Sequence, residues 1–158
     1  MIIRRIAPSD NEQVAVIVRD ALEELNAMKP GIAYFDQTAV HLNEIFKIKR
    51  WGYFVVEING EIAGGGGFYS TEGLPENICE LVKFYISKKF RRRGWGQKLL
   101  YKCMNEAKKN GYHKMYLEAM PELVNAVTMY AKNGFNHIPQ SLGNSGHKDC
   151  DVWMMRDL

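Results

Sequence analysis

The sequence has few cysteines, no long apolar run and no repeat or low-complexity tract, and each shortage removes a class of protein. No apolar stretch among its 158 residues approaches the roughly 20 that a spanning helix needs, so no membrane role is expected. The opening Met1-Ile2-Ile3-Arg4-Arg5 lacks the apolar core and cleavage site of a secretory signal, which makes a cytoplasmic location the default expectation. Cys79, Cys103 and Cys150 are odd in number and show no close-pair redox spacing, which fits free thiols, either small buried hydrophobes or reactive groups. His147 and Cys150 make half of a metal site, but no second half is evident among His41, His113 and His137, so no metal is expected. With no linker in sight, one domain spanning 1–158 is expected.

The net positive charge is local. Without Lys88, Lys89, Arg91, Arg92 and Arg93 the formal charge of +3 becomes −2. Such a cluster suits an anion. It lacks the interleaved aromatics of a base-stacking platform, so a nucleic-acid partner is not expected, and for Lys88 and Lys89 a solvated loop is the plainer reading. The cluster runs from a short apolar strand signal, Leu81, Val82, Phe84, Tyr85 and Ile86, into a helix signal with Leu99, Cys103 and Ala107 beside Leu100 and Met104. Between them Gly94 and Gly96 allow successive backbone N–H groups to converge on one anion at a helix entrance, where the first-turn donors are unpaired and the dipole is positive. Arg91, Arg92, Arg93, Gly94, Trp95, Gly96, Gln97 and Lys98 therefore read as a phosphate cradle. A dinucleotide fingerprint would need glycine at Leu99, and a P-loop would need Gly-Lys-Ser/Thr, so both fit poorly.

Ahead of the cradle, Ile2 to Ile6 reads as a strand, and Ser9-Asp10-Asn11-Glu12 has capping-box form before the apolar face Val14, Val18, Ala21, Leu22 and Leu25. A second helix is expected from Asp36-Gln37-Thr38 through Phe46. Asn59-Gly60 predicts a hairpin between Trp51–Ile58 and Glu61–Tyr69, whose Gly64 to Gly67 run suggests a bulge or a crowding neighbour. After the cradle helix come a strand over His113–Ala119, a helix opening at Pro121 and capped by Gly134, a short strand from Phe135 to Ile138, a polar loop over Gln140–Lys148 and a closing strand over Cys150–Met155.

The spacing Arg91-x-x-Gly94-x-Gly96 after Glu80-Leu81 and Phe84-Tyr85-Ile86 resembles the acyl-CoA loop of the GNAT superfamily of N-acetyltransferases. Tyr116-Leu117-Glu118 and Tyr130-Ala131-Lys132-Asn133-Gly134-Phe135 are similar to that family's later strand and Tyr-x-x-x-Gly-Phe element, so the resemblance covers nearly the whole chain. It implies an α/β (α+β) three-layer fold with a mixed, mainly antiparallel sheet flanked by helices and split between its fourth and fifth strands. It also implies acetyl-CoA as acyl donor, an amine acceptor of small-molecule or peptide type, and direct attack of that amine on the thioester. Homodimers are common among members and stay open here. Many relatives carry glycine where Arg92 stands and proline where Lys88 stands.

Role by role, the resemblance implies that pantetheine lies along Phe84, Tyr85 and Ile86 in the manner of an added strand. Tyr130 would protonate the departing thiolate, or else serve as a core aromatic. Glu80 would act as general base, or else be a strand carboxylate in a structural hydrogen bond. The pantetheine-binding asparagine of many relatives falls at Leu123, and Asn125 is the nearby substitute. Tyr34, Phe35 and Asp36 are candidate acceptor contacts, or simply a loop anchored by two aromatics. His147 either shapes the acceptor pocket or anchors the last hairpin. The reading from another class is a non-catalytic acyl-CoA-binding regulatory module, which would keep the cradle and need neither Tyr130 nor Glu80.

Overall fold

The apolar run Tyr53-Phe54-Val55-Val56 belongs to a strand buried on both faces. Tyr53 and Val55 pack with Val14, Val18 and Leu22 of one helix, while Phe54 and Val56 pack with Leu99, Leu100 and Cys103 of another. Strand alternation sends neighbours to opposite faces, so a continuous apolar run marks the middle layer of three. The structure, a computed structural model, describes residues 1–25 and 41–158. The strands are β1 (Ile2–Arg5), β2 (Gly52–Ile58), β3 (Glu61–Tyr69), β4 (Ile78–Ile86), β5 (Lys114–Ala119), β6 (Asn136–His137) and β7 (Val152–Asp157). They form one sheet in the order β1-β2-β3-β4-β5-β7-β6, antiparallel except for β4 with β5. Helix α1 (Asn11–Glu24) covers one face, as does the short α2 (Leu42–Ile45); α3 (Trp95–Lys109) and α4 (Val124–Lys132) cover the other.

The sheet opens where the resemblance implies. β4 and β5 pair in parallel only from Ile78↔Lys114 to Leu81↔Leu117, so Val82 to Ile86 have no strand on that side. The departure begins at a bulge. Gly65 opposes Tyr85 and Gly67 opposes Val82, which leaves Lys83 and Phe84 facing the single Gly66. Lys83 takes φ +49°, and the Tyr53 hydroxyl donates to its carbonyl at 2.9 Å.

The glycine run in β3 thus has a steric cause on each side. A Cβ on Gly66 would lie 2.4 Å from the Phe84 ring, and one on Gly67 would lie 2.5 Å from the Gly52 carbonyl and 2.6 Å from the Tyr53 ring. The extra residues sit in β4; the glycines accommodate them and the aromatics across the sheet. Gly67→Ala must move backbone, so it is expected to destabilise the fold by about 2–3 kcal/mol, checked by the urea midpoint.

Two expectations are corrected. Helix α1 begins at Asn11 without a Ser9–Glu12 capping box. Asp10 organises the turn instead, accepting from the Ala7 N–H at 2.8 Å and from Arg4 at 2.7 and 3.0 Å, and the Arg4 hydrogen bonds hold its carboxyl below the usual range despite burial. Pro121 lies in a turn before α4, closed by the Leu123 N–H on the Met120 carbonyl at 3.0 Å. The start of the second helix expected from Asp36 lies outside the described residues; its described part is α2.

Candidate active site

Two strands running in parallel and then parting leave a cleft between their carboxyl ends. One end of the cleft leads to the basic loop, the other to a cluster of buried acids. Both are built from residues far apart in sequence.

At the loop, Gly94 occupies the N-cap of α3 with φ +79°, a conformation in which a side chain is strained, and a Cβ there would touch nothing within 4 Å. The first amide with an intrahelical partner is that of Lys98, bonded to the Gly94 carbonyl at 3.1 Å, so the preceding amides remain available to a ligand. The virtual Cβ of Gly96 lies 3.4 Å from Met129 Sδ, which marks a close approach of α3 to α4. Gln97 donates to the Asn133 side-chain oxygen at 3.3 Å and so ties the same two helices.

The cations divide. Arg91 donates to the Ile86 carbonyl at 2.8 Å and pairs with Glu24 at 2.9 Å, Lys88 approaches Glu24 at 3.7 Å, and Lys89 pairs with Glu61. Lys98 lies over the Trp95 ring at 4.6 Å, while the Trp95 indole N–H is buried without a partner among the described residues. Arg92, at φ +60°, and Arg93 are exposed and enter no ion pair among the described residues. Three of the five clustered cations therefore have acidic partners, and the basic stripe that a nucleic acid would track is broken.

Along β4, Ser87 N–H bonds back to Ala63 of β3 at 2.8 Å. Alternation turns the Ile86 backbone the other way, toward the split, where Arg91 takes its carbonyl. Phe84 faces the α4 side, its ring 6.0 Å from Tyr130, and Tyr85 lines the cleft.

Tyr130 is held from two directions. Its carbonyl accepts the Phe135 N–H at 3.1 Å and the Ala131 carbonyl accepts the Gly134 N–H at 3.2 Å, with Gly134 at φ +86°, so a helix-closing motif fixes the last turn of α4. Phe135 packs on the Tyr130 ring at 5.8 Å. The ring is buried, yet its hydroxyl bonds to no group among the described residues. Burial first, then the neighbouring Tyr85 and Cys103, push its pKa upward, so it stays a proton donor throughout the neutral range. Asn125 lies exposed on the first turn of α4. Tyr34, Phe35 and Asp36 lie outside the described residues.

The acidic end is richer than sequence reading foresaw. Glu80 is 1% exposed and accepts from the Thr71 hydroxyl. Parallel register sets Glu80 opposite Tyr116, and Glu118, two residues on, shares that face. Glu118 accepts from the Tyr116 hydroxyl and from Ser145 Oγ, each at 2.7 Å, and Tyr116 accepts the Leu142 N–H at 3.0 Å. His147 completes the group, its Nδ1 3.6 Å from Glu118 and 3.7 Å from Glu80. The polar loop is docked through the Asn144 N–H on the Glu72 carbonyl at 2.7 Å, which brings Ser145 and His147 to the cleft. Tyr69, Lys83 and Cys150 line the same space.

The charges here are interdependent. Burial pushes the Glu80 carboxyl up to about 7, against the pull of the Thr71 bond and of His147, with Glu118 adding to the rise. Burial pushes Glu118 up as well, but contacts with His147, Ser145 and Tyr116 outweigh it and leave this carboxyl below its ordinary value. His147 is raised, first by Glu118 and against burial, and then by Glu80. Glu118 thus favours the charged form of the imidazole, and Glu80 is the group poised to exchange a proton near neutrality. His147, read from sequence as shaping the acceptor pocket or anchoring the last hairpin, lies against Glu118 and Glu80. Glu118 entered the sequence reading only within the Tyr116-Leu117-Glu118 strand motif, and nothing local marks Thr71.

A family model described as "Acetyltransferase (GNAT) family" matches residues 18–135. The chain is 36% identical over 159 residues to the Escherichia coli (strain K12) protein named "Uncharacterized N-acetyltransferase YjgM", covering 99% of this chain and 95% of that one. It superposes on an acetyltransferase of the GNAT family from Staphylococcus aureus Mu50 with a TM-score of 0.85 at 22% identity, over 99% of this chain and 98% of the other. It also superposes on yncA from Salmonella typhimurium, solved with its cofactor acetyl-CoA, with a TM-score of 0.80 at 20% identity, over 99% and 93% of the two chains. At these identities the structural likeness establishes the shared fold.

Proposed function

The chain belongs to the acetyltransferase (GNAT) family, and from that premise we propose that it transfers an acetyl group from acetyl-CoA directly to an amine of a small molecule or peptide. The supporting observation is the split itself: β4 leaves β5 after Leu81, the basic loop follows Ile86, and Glu80, Glu118 and His147 line the cleft. Pyrophosphate binds at the amides before Lys98, with Arg92, Arg93 and Lys98 adding charge. Arg91 braces the loop through Ile86 and Glu24. Pantetheine extends along Phe84 to Ile86 and takes the place of a neighbouring strand. A backbone N–H there polarises the thioester carbonyl as charge develops on its oxygen.

The acceptor amine attacks the carbonyl carbon once it has lost a proton to the Glu80–His147–Glu118 group, directly or through water. The tetrahedral intermediate collapses, the C–S bond breaks, and the Tyr130 hydroxyl protonates the departing thiolate. No acyl-enzyme is needed. That the yncA structure holds acetyl-CoA supports the choice of donor.

Calorimetry tests the cradle. The native chain is expected to bind acetyl-CoA, and Gly94→Glu, which puts negative charge where phosphate sits, to lose on the order of 10²-fold in affinity. Gly94→Ala separates charge from strain: it shares the positive-φ cost and should retain most of the affinity. Equal binding by the native chain and Gly94→Glu would refute the cradle. Tight binding with no thiol release from any amine tried would favour an acyl-CoA-binding regulatory module.

A further inference from the structure

We propose that Glu118, His147 and Cys150 form a binding site for a zinc-class divalent cation in the cleft, with Glu80 beside the open fourth position. The sequence shows only His147-x-x-Cys150. The structure supplies the other half from carboxylates, because the docked loop brings His147 and Cys150 against β4 and β5.

The donors are a thiol, an imidazole and a carboxylate, a set that favours zinc over the oxygen-seeking magnesium and calcium. One ligand atom from each of the three lies within 4.8 Å of the others. Nδ1 of His147 is 3.6 Å from Glu118 Oε2 and 3.7 Å from Glu80 Oε1. Metal–ligand bonds of about 2.0–2.3 Å set tetrahedral ligand–ligand edges in roughly the same range, so the group closes on a cation with small side-chain movements.

The outer supports are already in place. Tyr116 and Ser145 each donate to Glu118, the His147 N–H donates to Ser145 Oγ at 3.2 Å, and the Cys150 N–H bonds the His147 carbonyl at 3.4 Å. Such hydrogen bonds orient ligands before metal arrives. Two carboxylate side chains, 1% and 2% exposed, face one imidazole, and a dication would be held by anionic oxygens close by and a nitrogen donor between them. Bound there, the cation occupies the group that the proposed transfer uses as base, so zinc would inhibit that reaction; this consequence alone rests on the proposed function.

The test is made on the full chain, freed of metal by a chelator and without acetyl-CoA, so its outcome is independent of the acetyltransferase reading. Calorimetry with zinc chloride is expected to show one site, and cobalt chloride to give the thiolate charge-transfer band of a sulfur ligand together with tetrahedral visible bands. Cys150→Ser should abolish the charge-transfer band, and His147→Gln should weaken zinc binding at least tenfold. Absence of zinc binding overturns the proposal, as does a charge-transfer band undiminished in Cys150→Ser, which would place the metal at Cys79 or Cys103. Should the variants misfold, zinc protection of Cys150 in the native chain against iodoacetamide, mapped by peptide mass, decides: slowed alkylation supports the site and an unchanged rate refutes it.

Discussion

Glu80→Gln is expected to lower kcat/KM by on the order of 10²–10⁴-fold while leaving acetyl-CoA affinity unchanged. The size follows from the environment. Glu80 is buried and its carboxyl is pushed up to about 7, so near neutrality it is a far stronger base than an exposed glutamate. The native kcat/KM should rise with pH and level off above about 7, because only the ionised form of Glu80 accepts the proton. Glutamine has no proton to exchange, so the variant should lose that limb and keep only the one set by the acceptor amine. Since Glu80, His147 and Glu118 share their protons, the limb belongs to the group as a whole.

Stability gives an independent readout with a definite sign. A carboxyl whose pKa rises from 4.5 to about 7 on folding binds its proton more tightly in the native state. Its contribution is full below the unfolded pKa and is lost as pH rises through the folded one, so native stability should decline between those values. Glu80→Gln should flatten this part of the decline. A variant that keeps both its rate and its pH–rate profile would make Glu80 a structural partner of Thr71 and nothing more.

What was legible in the sequence was what local chemistry demands. Gly94 at the α3 entrance, the Asn59-Gly60 hairpin and the Gly134-Phe135 helix stop each reflect backbone requirements met within a few residues, and the structure has all three. The fold class and the split between β4 and β5 came through resemblance built on those same motifs. The acidic group was not legible. Glu80 meets Glu118 only because β4 and β5 pair in parallel, and His147 joins them only because Asn144 docks on Glu72. None of this leaves a periodicity in the chain.

The same distinction explains the smaller misses. Ser9 and Glu12 match a capping box, but Asp10 has Arg4 as a partner across the turn, and that tertiary contact decides where α1 starts. The four glycines of β3 suggested a bulge or a crowding neighbour, and the structure has both, with the extra residues Lys83 and Phe84 in β4. The partners that hold the Arg91 guanidinium, Ile86 and Glu24, were equally out of reach of the sequence reading. Side-chain partners set by long-range packing are invisible to spacing.

Tyr130→Phe is the second substitution with a large expected effect, a fall in kcat on the order of 10²-fold or more, with acetyl-CoA binding and thermal stability close to native. The ring is fixed by Phe84 and Phe135 and by the helix-closing bonds, none of which involves the hydroxyl. The hydroxyl has no hydrogen-bond partner among the described residues, so its removal breaks no such bond and should cost little stability. A packing role therefore predicts an active, stable variant, and a proton-donor role predicts a stable but slow one. The leaving group separates the two further. An acetyl thioester of a lower-pKa thiol needs less protonation as it departs, so with such a donor the gap between native and variant should narrow. A gap of the same size for both donors would assign Tyr130 to positioning the thioester, and the absence of any gap would assign it to the core.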